Sequence, residues 1–305
     1  GRMVRQRGRE DHAARRGVVD LGVGLAVTAG AFVTGPAKAI DVGPADYTIM
    51  PEGTQLGMLY WQHLRSGKLV LGGDEVPGSK FTANVAILRS LTYSSFNDMP
   101  VAFHVVAPFA NIDTARIGGG DQPVKNGMGD LTLGVTVWPI QPDTPDTGTT
   151  LGLSLFATLP TGSYAPGSIG IGEGTTTLTP QIGVIQGLGG GWYFDGVFDV
   201  GIQASHRENG VTHKRDPSVQ LQTMLRKQWG QGTSLTIGYS GQRGGDQMVA
   251  GAKTGLKTDR DQIRLYGTHF LTPTLQIQGM VAKDINVEGG FEYDTVTQLR
   301  LVKVF

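Results

Sequence analysis

The sequence contains no cysteine, which excludes disulfide frameworks, thiolate metal sites and thiol catalysis. It also lacks an apolar run of about 20 residues, the length that a membrane-spanning helix needs. Glycine and proline, by contrast, are abundant, with 47 and 15 of the 305 residues, and both disfavour long helices. Because the hydrophobic residues, 39% of the chain, fall in short alternating stretches, we predict an all-β protein.

The amino-terminal region has the organisation of a secretory signal peptide. Six arginines up to Arg16 precede a weakly apolar stretch from Leu21 to Val33, and Ala37-Lys38-Ala39 follows as a small-residue cleavage site. Arg15-Arg16 is also compatible with a twin-arginine signal, although a barrel must cross the inner membrane unfolded, which favours the general secretion route. Cleavage after Ala39 removes seven basic and three acidic residues and leaves 19 against 23, a net charge of −4. A mildly acidic chain is not expected to bind nucleic acid.

Turn residues divide the rest of the chain into about twelve alternating segments. Leu131, Leu133 and Val135 alternate with Thr132 and Gly134, for example, as expected of a strand with one apolar face. Most segments exceed the roughly 9–11 residues that a tilted strand needs to cross a bilayer. We therefore predict an antiparallel transmembrane β-barrel over 53–305, preceded by a signal peptide over 1–39 and an N-terminal segment over 40–52 that is a candidate plug. The predicted segments lie near 53–63, 80–92, 100–109, 128–138, 150–160, 175–187, 191–206, 217–229, 233–243, 259–271, 274–284 and 292–305.

The connections between these segments alternate in length. With the carboxy-terminus on the periplasmic side, the odd connections are long and the even ones are mostly tight, except 139–149. Bacterial barrels have short periplasmic turns and longer outer loops, whereas a secreted β-sandwich, the alternative fold, has no reason to sort its loops by parity. The predicted outer loops are 64–79, 110–127, 161–174, 207–216, 244–258 and 285–291.

Large and charged side chains are expected at the membrane interfaces. Three tryptophans fall at predicted periplasmic strand ends, as an aromatic girdle requires: Trp138, Trp192 and Trp229. Three basic residues interrupt the apolar faces near the same ends, where their long stems can reach the headgroups: Arg89, Lys227 and Lys303.

The last strand resembles the carboxy-terminal strand of bacterial outer-membrane barrels, in which a terminal Phe is a common assembly signal. Phe305 shares an apolar face with Leu301 and Leu299, although Lys303 stands where an aromatic residue is usual. This resemblance implies that the barrel-assembly machinery recognises the Phe305 strand and that outer-membrane lipid surrounds the folded protein.

Two internal motifs resemble the outer-membrane family of transporters of the meta pathway of phenol degradation. One is Gly127-Met-Gly-Asp-Leu-Thr-Leu-Gly134, with a Gly-Asp strand entry, and the other is the outer turn Leu159-Pro-Thr-Gly162. The resemblance covers about residues 80 to 305. It implies a barrel in the bacterial outer membrane, in a family often linked to hydrophobic or aromatic compounds.

No motif points to a cofactor or metal. Gly187-Leu-Gly-Gly-Gly191 and Gly251-Ala-Lys-Thr254 lack the helix that follows a phosphate-binding loop. Among the histidines, His206 and His213 flank the Asn209-Gly210 turn and could meet across a hairpin, where they form either a cation site or a solvated loop. His269 is followed by Phe270 and not by the Ser-Asn of outer-membrane phospholipases, so we expect no nucleophile beside it and no enzyme activity.

Polar residues opposite the lipid-facing stripe are the candidate channel lining. A hairpin at Asn209-Gly210 pairs residues whose numbers sum to about 420, which sets Asp195 opposite Arg226 and Asp199 near Gln220 or Gln222. Pro180 cannot donate to the strand ladder and lies on the outward face, where it marks either a lateral opening, a bulge or a later strand start. The predicted lumen residues are Asp195, Asp199, Gln203, Gln220, Gln222, Arg226, Gln262, Arg264, Tyr266, Gln298 and Arg300.

These patterns favour an outer-membrane channel for the passive uptake of small hydrophobic or aromatic compounds. Twelve strands lie between the filled interior of about eight strands and the open pore of 16–18, so we expect a narrow, partly occluded lumen. A structural or adhesive barrel without transport is the alternative, and a lipid-acting enzyme is a third reading.

Overall fold

A computed structural model describes residues 41–230 and 232–305, and the predicted signal peptide lies outside them. The regular elements of these residues are β-strands, and no helix among them is long and apolar enough to cross a membrane. Twelve long strands form the wall: β1 (Gln55–Ser66), β2 (Lys80–Phe96), β3 (Met99–Ile117), β4 (Leu131–Ile140), β5 (Thr149–Leu159), β6 (Thr177–Gly189), β7 (Trp192–Gln203), β8 (Ser218–Trp229), β9 (Thr233–Gly244), β10 (Arg260–Thr272), β11 (Leu275–Val287) and β12 (Thr295–Val304).

The wall closes on itself. Each strand pairs antiparallel with its chain neighbours, and β1 pairs with β12 from Leu56↔Val304 to Arg65↔Thr295. Closure leaves no strand edge unpaired, which is the condition for placing a sheet in lipid. The predicted antiparallel barrel of about twelve strands is therefore confirmed, as is the loop parity, with tight turns such as 97–98 and 273–274 on one side only.

Side-chain alternation separates an apolar exterior from a mixed interior. The exterior carries exposed large apolar residues on every strand, for example Phe103, Leu155, Phe198 and Leu265. At the tight turns, residues with positive φ such as Asn97 (49°) and Asp98 (62°) turn the chain between β2 and β3, the conformation of a two-residue hairpin turn.

The outer loops fold together over one end of the barrel in three small sheets. One joins Lys68–Leu71, Asp74–Val76 and Gly290–Glu292, a second joins His206–Glu208, Val211–Arg215, Gln247–Val249 and Ala252–Lys253, and the third pairs Val124–Lys125 with Ile169–Gly170. The short strands Gly120–Asp121 and Gly127–Met128 pair antiparallel with β3. Lys257 links two loops through Glu288 at 2.5 Å, and it also pairs with Asp259 of its own loop at 2.9 Å. These hydrogen bonds raise the pKa of the Lys257 ammonium.

Apolar loop residues enter the outer end of the lumen and pack on the wall. We call this set the outer cap; its residues are Leu69, Ile169, Ile171, Leu256, Phe291 and Tyr293. Phe291 stacks on Phe81 of β2 with ring centroids 5.1 Å apart. Asp284 of β11 accepts hydrogen bonds from Arg260 at 2.6 Å and from the Tyr293 amide at 2.7 Å, which fixes the last loop against the wall.

Candidate functional site: the barrel lumen

The predicted lumen residues line the interior of the barrel. Gln203 and Gln298 are partly buried, and Gln298 Oε1 accepts a hydrogen bond from Gln62 Nε2 at 2.6 Å. The other nine are buried, and the residues on either side of them along the strands face outward or are less buried: Asp195, Asp199, Gln220, Gln222, Arg226, Gln262, Arg264, Tyr266 and Arg300. Sequence alternation thus places the polar groups of β7, β8, β10 and β12 on one continuous inner surface.

Asp195 and Arg226 form an ion pair across β7 and β8. Arg226 Nε donates to Asp195 Oδ2 at 3.1 Å, and the two side chains are 4% and 6% exposed. The predicted register is confirmed for Asp199, which pairs with Gln220, but Asp195 pairs with Met224 and not with Arg226, which lies two residues further along β8. The two residues still form an ion pair because they are diagonal neighbours on the lumen face. A long arginine side chain can span the distance between diagonal positions on paired strands.

The N-terminal segment, residues 41–52, enters the lumen and is held there by two carboxylates. Asp41 accepts from Arg264 Nη2 at 3.2 Å and from Gln220 Nε2 at 3.0 Å. Asp46 lies between Arg300 Nη1, at 2.6 Å, and Arg89 Nη1, at 3.5 Å. Each contact joins this segment to a different part of the wall, so the segment crosses the lumen instead of lying along one strand.

Tyr47 docks in a slot that glycine creates. Gly152 of β5 and Gly183 of β6 are paired on the lumen face, and a Cβ at either position would lie 2.4 or 2.2 Å from atoms of the Tyr47 ring. The Tyr47 hydroxyl donates to Gln181 Oε1 at 2.9 Å and shares a hydrogen bond with Ser154 Oγ at 2.8 Å. Any larger residue at the two glycine positions would exclude the ring.

Arg89 lies in the lumen and is 8% exposed. The prediction from the sequence, which placed Arg89 on the outer face near the lipid headgroups, is therefore wrong. The parity of Arg89 along β2 matches that of Leu91 and Tyr93, which are also buried, and a lumen position gives the guanidinium a carboxylate partner that lipid cannot offer. Arg89 Nη2 also donates to His104 Nδ1 at 3.1 Å.

A chain of hydrogen bonds continues from Arg89 across the lumen. His104 Nε2 lies 2.9 Å from Thr136 Oγ1, which lies 2.7 Å from Ser154 Oγ beside Tyr47. Because Nδ1 of His104 accepts from Arg89, Nε2 carries the proton and donates to Thr136. Sequence reasoning missed His104, Thr136 and Ser154, although each sits on the polar side of an alternating strand, which was the available signal.

A cavity of about 240 Å³ adjoins the N-terminal segment at the periplasmic end of the lumen. Asp46, Arg226 and Arg300 are its charged lining residues. Much of its remaining surface is apolar and includes Met50, Met58, Tyr93, Phe270, Val302 and Val304. The cavity therefore combines cationic groups with a lining suited to a small apolar body.

The tryptophan prediction is right for two residues and wrong for the third. Trp192 and Trp229 are 43% and 53% exposed at the periplasmic rim, but Trp138 is 1% exposed. It stacks on Tyr93 with centroids 5.7 Å apart, and its Nε1 donates to the Tyr47 carbonyl at 2.9 Å. Alternation along β4 puts Trp138 on the same inner face as Thr132 and Thr136, and this outweighs its position near the strand end.

Lys227 and Lys303 lie at the rim, as predicted. Lys227 Nζ lies 5.2 Å from the centre of the Trp192 ring and donates to the Gly190 carbonyl at 2.6 Å. Lys303 Nζ donates to Thr274 Oγ1 at 2.7 Å. Both ammonium groups thus find polar partners in the periplasmic turns.

Three histidines lie beside another group that could take part in chemistry. His206 and His213 do meet across the hairpin, with rings stacked 5.2 Å apart, but no group of three or more potential ligands in the part of the chain that the structure describes could hold a metal ion. The structure places a hydroxyl beside His269 that its sequence neighbours do not supply, since its Nδ1 lies 2.8 Å from Thr233 Oγ1 on the paired strand. Cross-strand pairing, which sequence adjacency cannot reveal, brings the two together. The described residues show no carboxylate or amide hydrogen-bonded to this imidazole, as a catalytic triad needs.

Pro180 lies on the outer face of β6, inside the strand. It pairs with Leu155 of β5, so the strand does not begin after it. Towards β7, Leu178 pairs with Ile202 and Gln181 with Asp199 in one register, while Thr179 and Pro180 have no partner. The ladder is therefore interrupted without a bulge.

Comparison with known proteins agrees with this architecture. The structure is similar to the COG4313 outer membrane channel from Pseudomonas putida F1, with a TM-score of 0.80 and 27% identity over 87% of this chain and 100% of that chain. It is more distantly similar to the NanC porin, with a TM-score of 0.49 and 9% identity over 81% and 98% of the two chains. A comparison with curated proteins gives no significant match.

The sequence itself matches a family model. The matched model is described as "Putative MetA-pathway of phenol degradation", and it aligns with residues 67–301, which is most of the chain. The closed barrel and its likeness to a solved channel place the protein in the bacterial outer membrane. The chain belongs to this outer-membrane family, whose model carries the description "Putative MetA-pathway of phenol degradation".

Proposed function

We propose that the barrel is a channel for the passive uptake of small hydrophobic or aromatic compounds, and that residues 41–52 are its plug. The observation that carries the proposal is the N-terminal segment inside the lumen, which is held through side chains and not by strand pairing. Asp41, Asp46 and Tyr47 contact the wall, and wall side chains bond the Val42 amide and the Tyr47 carbonyl. Such contacts can exchange for contacts with solvent or solute, whereas a wall strand cannot leave without breaking its ladder. When such a segment leaves the lumen, a path opens through the barrel while the strand pairing of the wall stays intact.

The two ends of the lumen suit a solute with an apolar body. At the outer end, the outer cap covers the wall with aromatic and aliphatic side chains. At the periplasmic end, the cavity beside Asp46 has a largely apolar lining. Passage is passive in this proposal, with the solute displacing first the cap and then the plug. Phe305, 74% exposed at the periplasmic rim, is the proposed contact for the assembly machinery.

A lateral exit near Pro180 is a second route within the same proposal. The missing pairs at Thr179 and Pro180 weaken the β6–β7 seam near its outer end. An interrupted ladder in lipid exposes backbone groups at a cost unless something covers them. A hydrophobic solute could leave the wall there and enter the membrane.

The channel proposal is tested by uptake in intact cells. The outer leaflet slows hydrophobic solutes, so the initial rate of entry of a radiolabelled aromatic compound should rise when the protein is present. It should rise further when Asp41→Asn and Asp46→Asn loosen the plug. Heat-modifiable migration on gels controls for equal amounts of folded barrel. Equal uptake with and without the protein, together with no conductance from either form in planar bilayers, would support a structural or adhesive barrel instead.

A further inference from the structure

The buried charges of the lumen divide unequally between the wall and the N-terminal segment. Among the described wall residues, five arginines are buried in the interior against three aspartates, an excess of two positive charges. Asp41 and Asp46 of the N-terminal segment balance this excess through Arg264, Arg300 and Arg89. The wall residues counted are Arg89, Arg226, Arg260, Arg264 and Arg300, with Asp195, Asp199 and Asp284. Without the segment, the wall is cationic.

Asp46 is shared by two arginines. Arg300 Nη1 lies 2.6 Å from one carboxylate oxygen and Arg89 Nη1 lies 3.5 Å from the other. The Nε atoms of both guanidinium groups are buried and have no hydrogen-bond partner. A guanidinium presents five N–H donors in a geometry that matches a carboxylate. This pair therefore has donor capacity that a single carboxylate does not fill.

The cavity places an apolar space next to Asp46 and one of its two arginine partners, Arg300. Asp46 and Arg300 both line it, and so does Arg226. Its volume of about 240 Å³ is suited to a single substituted ring, and Tyr93 and Phe270 supply aromatic surface. A neutral hydrocarbon would use only the apolar part of this lining. A ring that carries a carboxylate would use both parts.

We propose that the solute class of this channel is a small organic carboxylate with an aromatic body, and that Asp46 is an internal substitute for its carboxylate on Arg89 and Arg300. The inference rests on the proposed channel function and narrows its substrate. Displacing Asp46 exchanges one charge-assisted contact for another, so the plug can be released without leaving buried arginines unpaired. The cationic wall then attracts anions into the lumen.

The test compares benzoate with benzamide, which has the same shape but no charge. Binding of each to the full chain in detergent is measured by calorimetry at pH 8, with and without Asp46→Asn. Because the substitution removes the competing carboxylate, benzoate should bind about tenfold more tightly while benzamide binding stays unchanged. Adding Arg300→Gln should abolish the gain. Heat-modifiable gel migration verifies that each variant is folded.

A second variant covers the case in which the N-terminal segment stays in the lumen after Asp46→Asn alone. Asp46→Asn combined with Tyr47→Gly removes two of the three anchors of the plug and empties the glycine slot. Equal or weaker benzoate binding in both variants, or an equal gain for benzamide, overturns the carboxylate site. Flux is measured separately in liposomes: if neither solute passes despite tight benzoate binding, the channel function fails and the site stands. If benzamide passes as well as benzoate, the channel stands and the carboxylate preference fails.

Discussion

The glycine slot gives the sharpest test of the plug. Gly183 has ordinary backbone geometry, so Gly183→Ala adds only a methyl group, but that methyl would lie 2.2 to 2.4 Å from three atoms of the Tyr47 ring. Real contacts are far longer, and the Gly183 backbone is held in the β5–β6 ladder. The ring must therefore move, and with it the hydroxyl that bonds to Ser154 and Gln181.

The magnitude follows from what Tyr47 loses. Two hydrogen bonds contribute roughly 0.5–1.5 kcal/mol each, and burial of an aromatic ring contributes about 2 kcal/mol. About 3 to 5 kcal/mol of plug stabilisation is at stake if the ring leaves entirely. At 1.4 kcal/mol per factor of ten, the open population should rise by about two to four orders of magnitude.

Single-channel recording in planar bilayers measures this population as the open fraction. The matched control is Gly279→Ala, because nothing lies within 4 Å of a Cβ built at that glycine. In a Tyr47→Ala background, Gly183→Ala should have no further effect, since the clashing ring is gone. An open fraction for Gly183→Ala equal to that of the control, or an undiminished effect in the Tyr47→Ala background, would refute the slot.

Four further outcomes are expected. Unboiled protein should migrate differently from boiled protein on a gel, as closed barrels do, and identical migration with recovery in the soluble periplasm would contradict the membrane barrel. Breaking the buried Asp195–Arg226 pair with Asp195→Asn should cost about 3 kcal/mol in unfolding free energy in lipid, more than the double variant with Arg226→Gln, and a cycle with zero coupling would remove the pair from the account. Pro180→Val should restore the β6–β7 ladder and slow uptake of hydrophobic solutes, and unchanged uptake would confine passage to the lumen. Lipid-borne bromine should quench Trp192 and Trp229 but not Trp138, as measured in single-tryptophan variants, and equal quenching would place Trp138 outside.

The sequence alone specified the barrel to a large extent. Strand alternation is a local property, because successive side chains face opposite sides of any sheet, and turn residues mark where each strand ends. The strand count and the loop parity could therefore be read without coordinates. The same rule located Asp195, Arg264 and Arg300 inside, and it would have located Trp138 and Arg89 there had strand-end position not been given more weight.

Tertiary structure decided what the lumen contains. The N-terminal segment has no periodic pattern, and several of its partners lie on strands more than 100 residues away, such as Ser154 for Tyr47 and Arg300 for Asp46. Which glycines face each other, as Gly152 and Gly183 do, depends on register, and the predicted partner of Asp195, Arg226, lies two residues from the observed one. Closure of the barrel brings these distant groups into one small volume. Charge balance and packing inside that volume, and not any local preference of the chain, then select the position of each side chain.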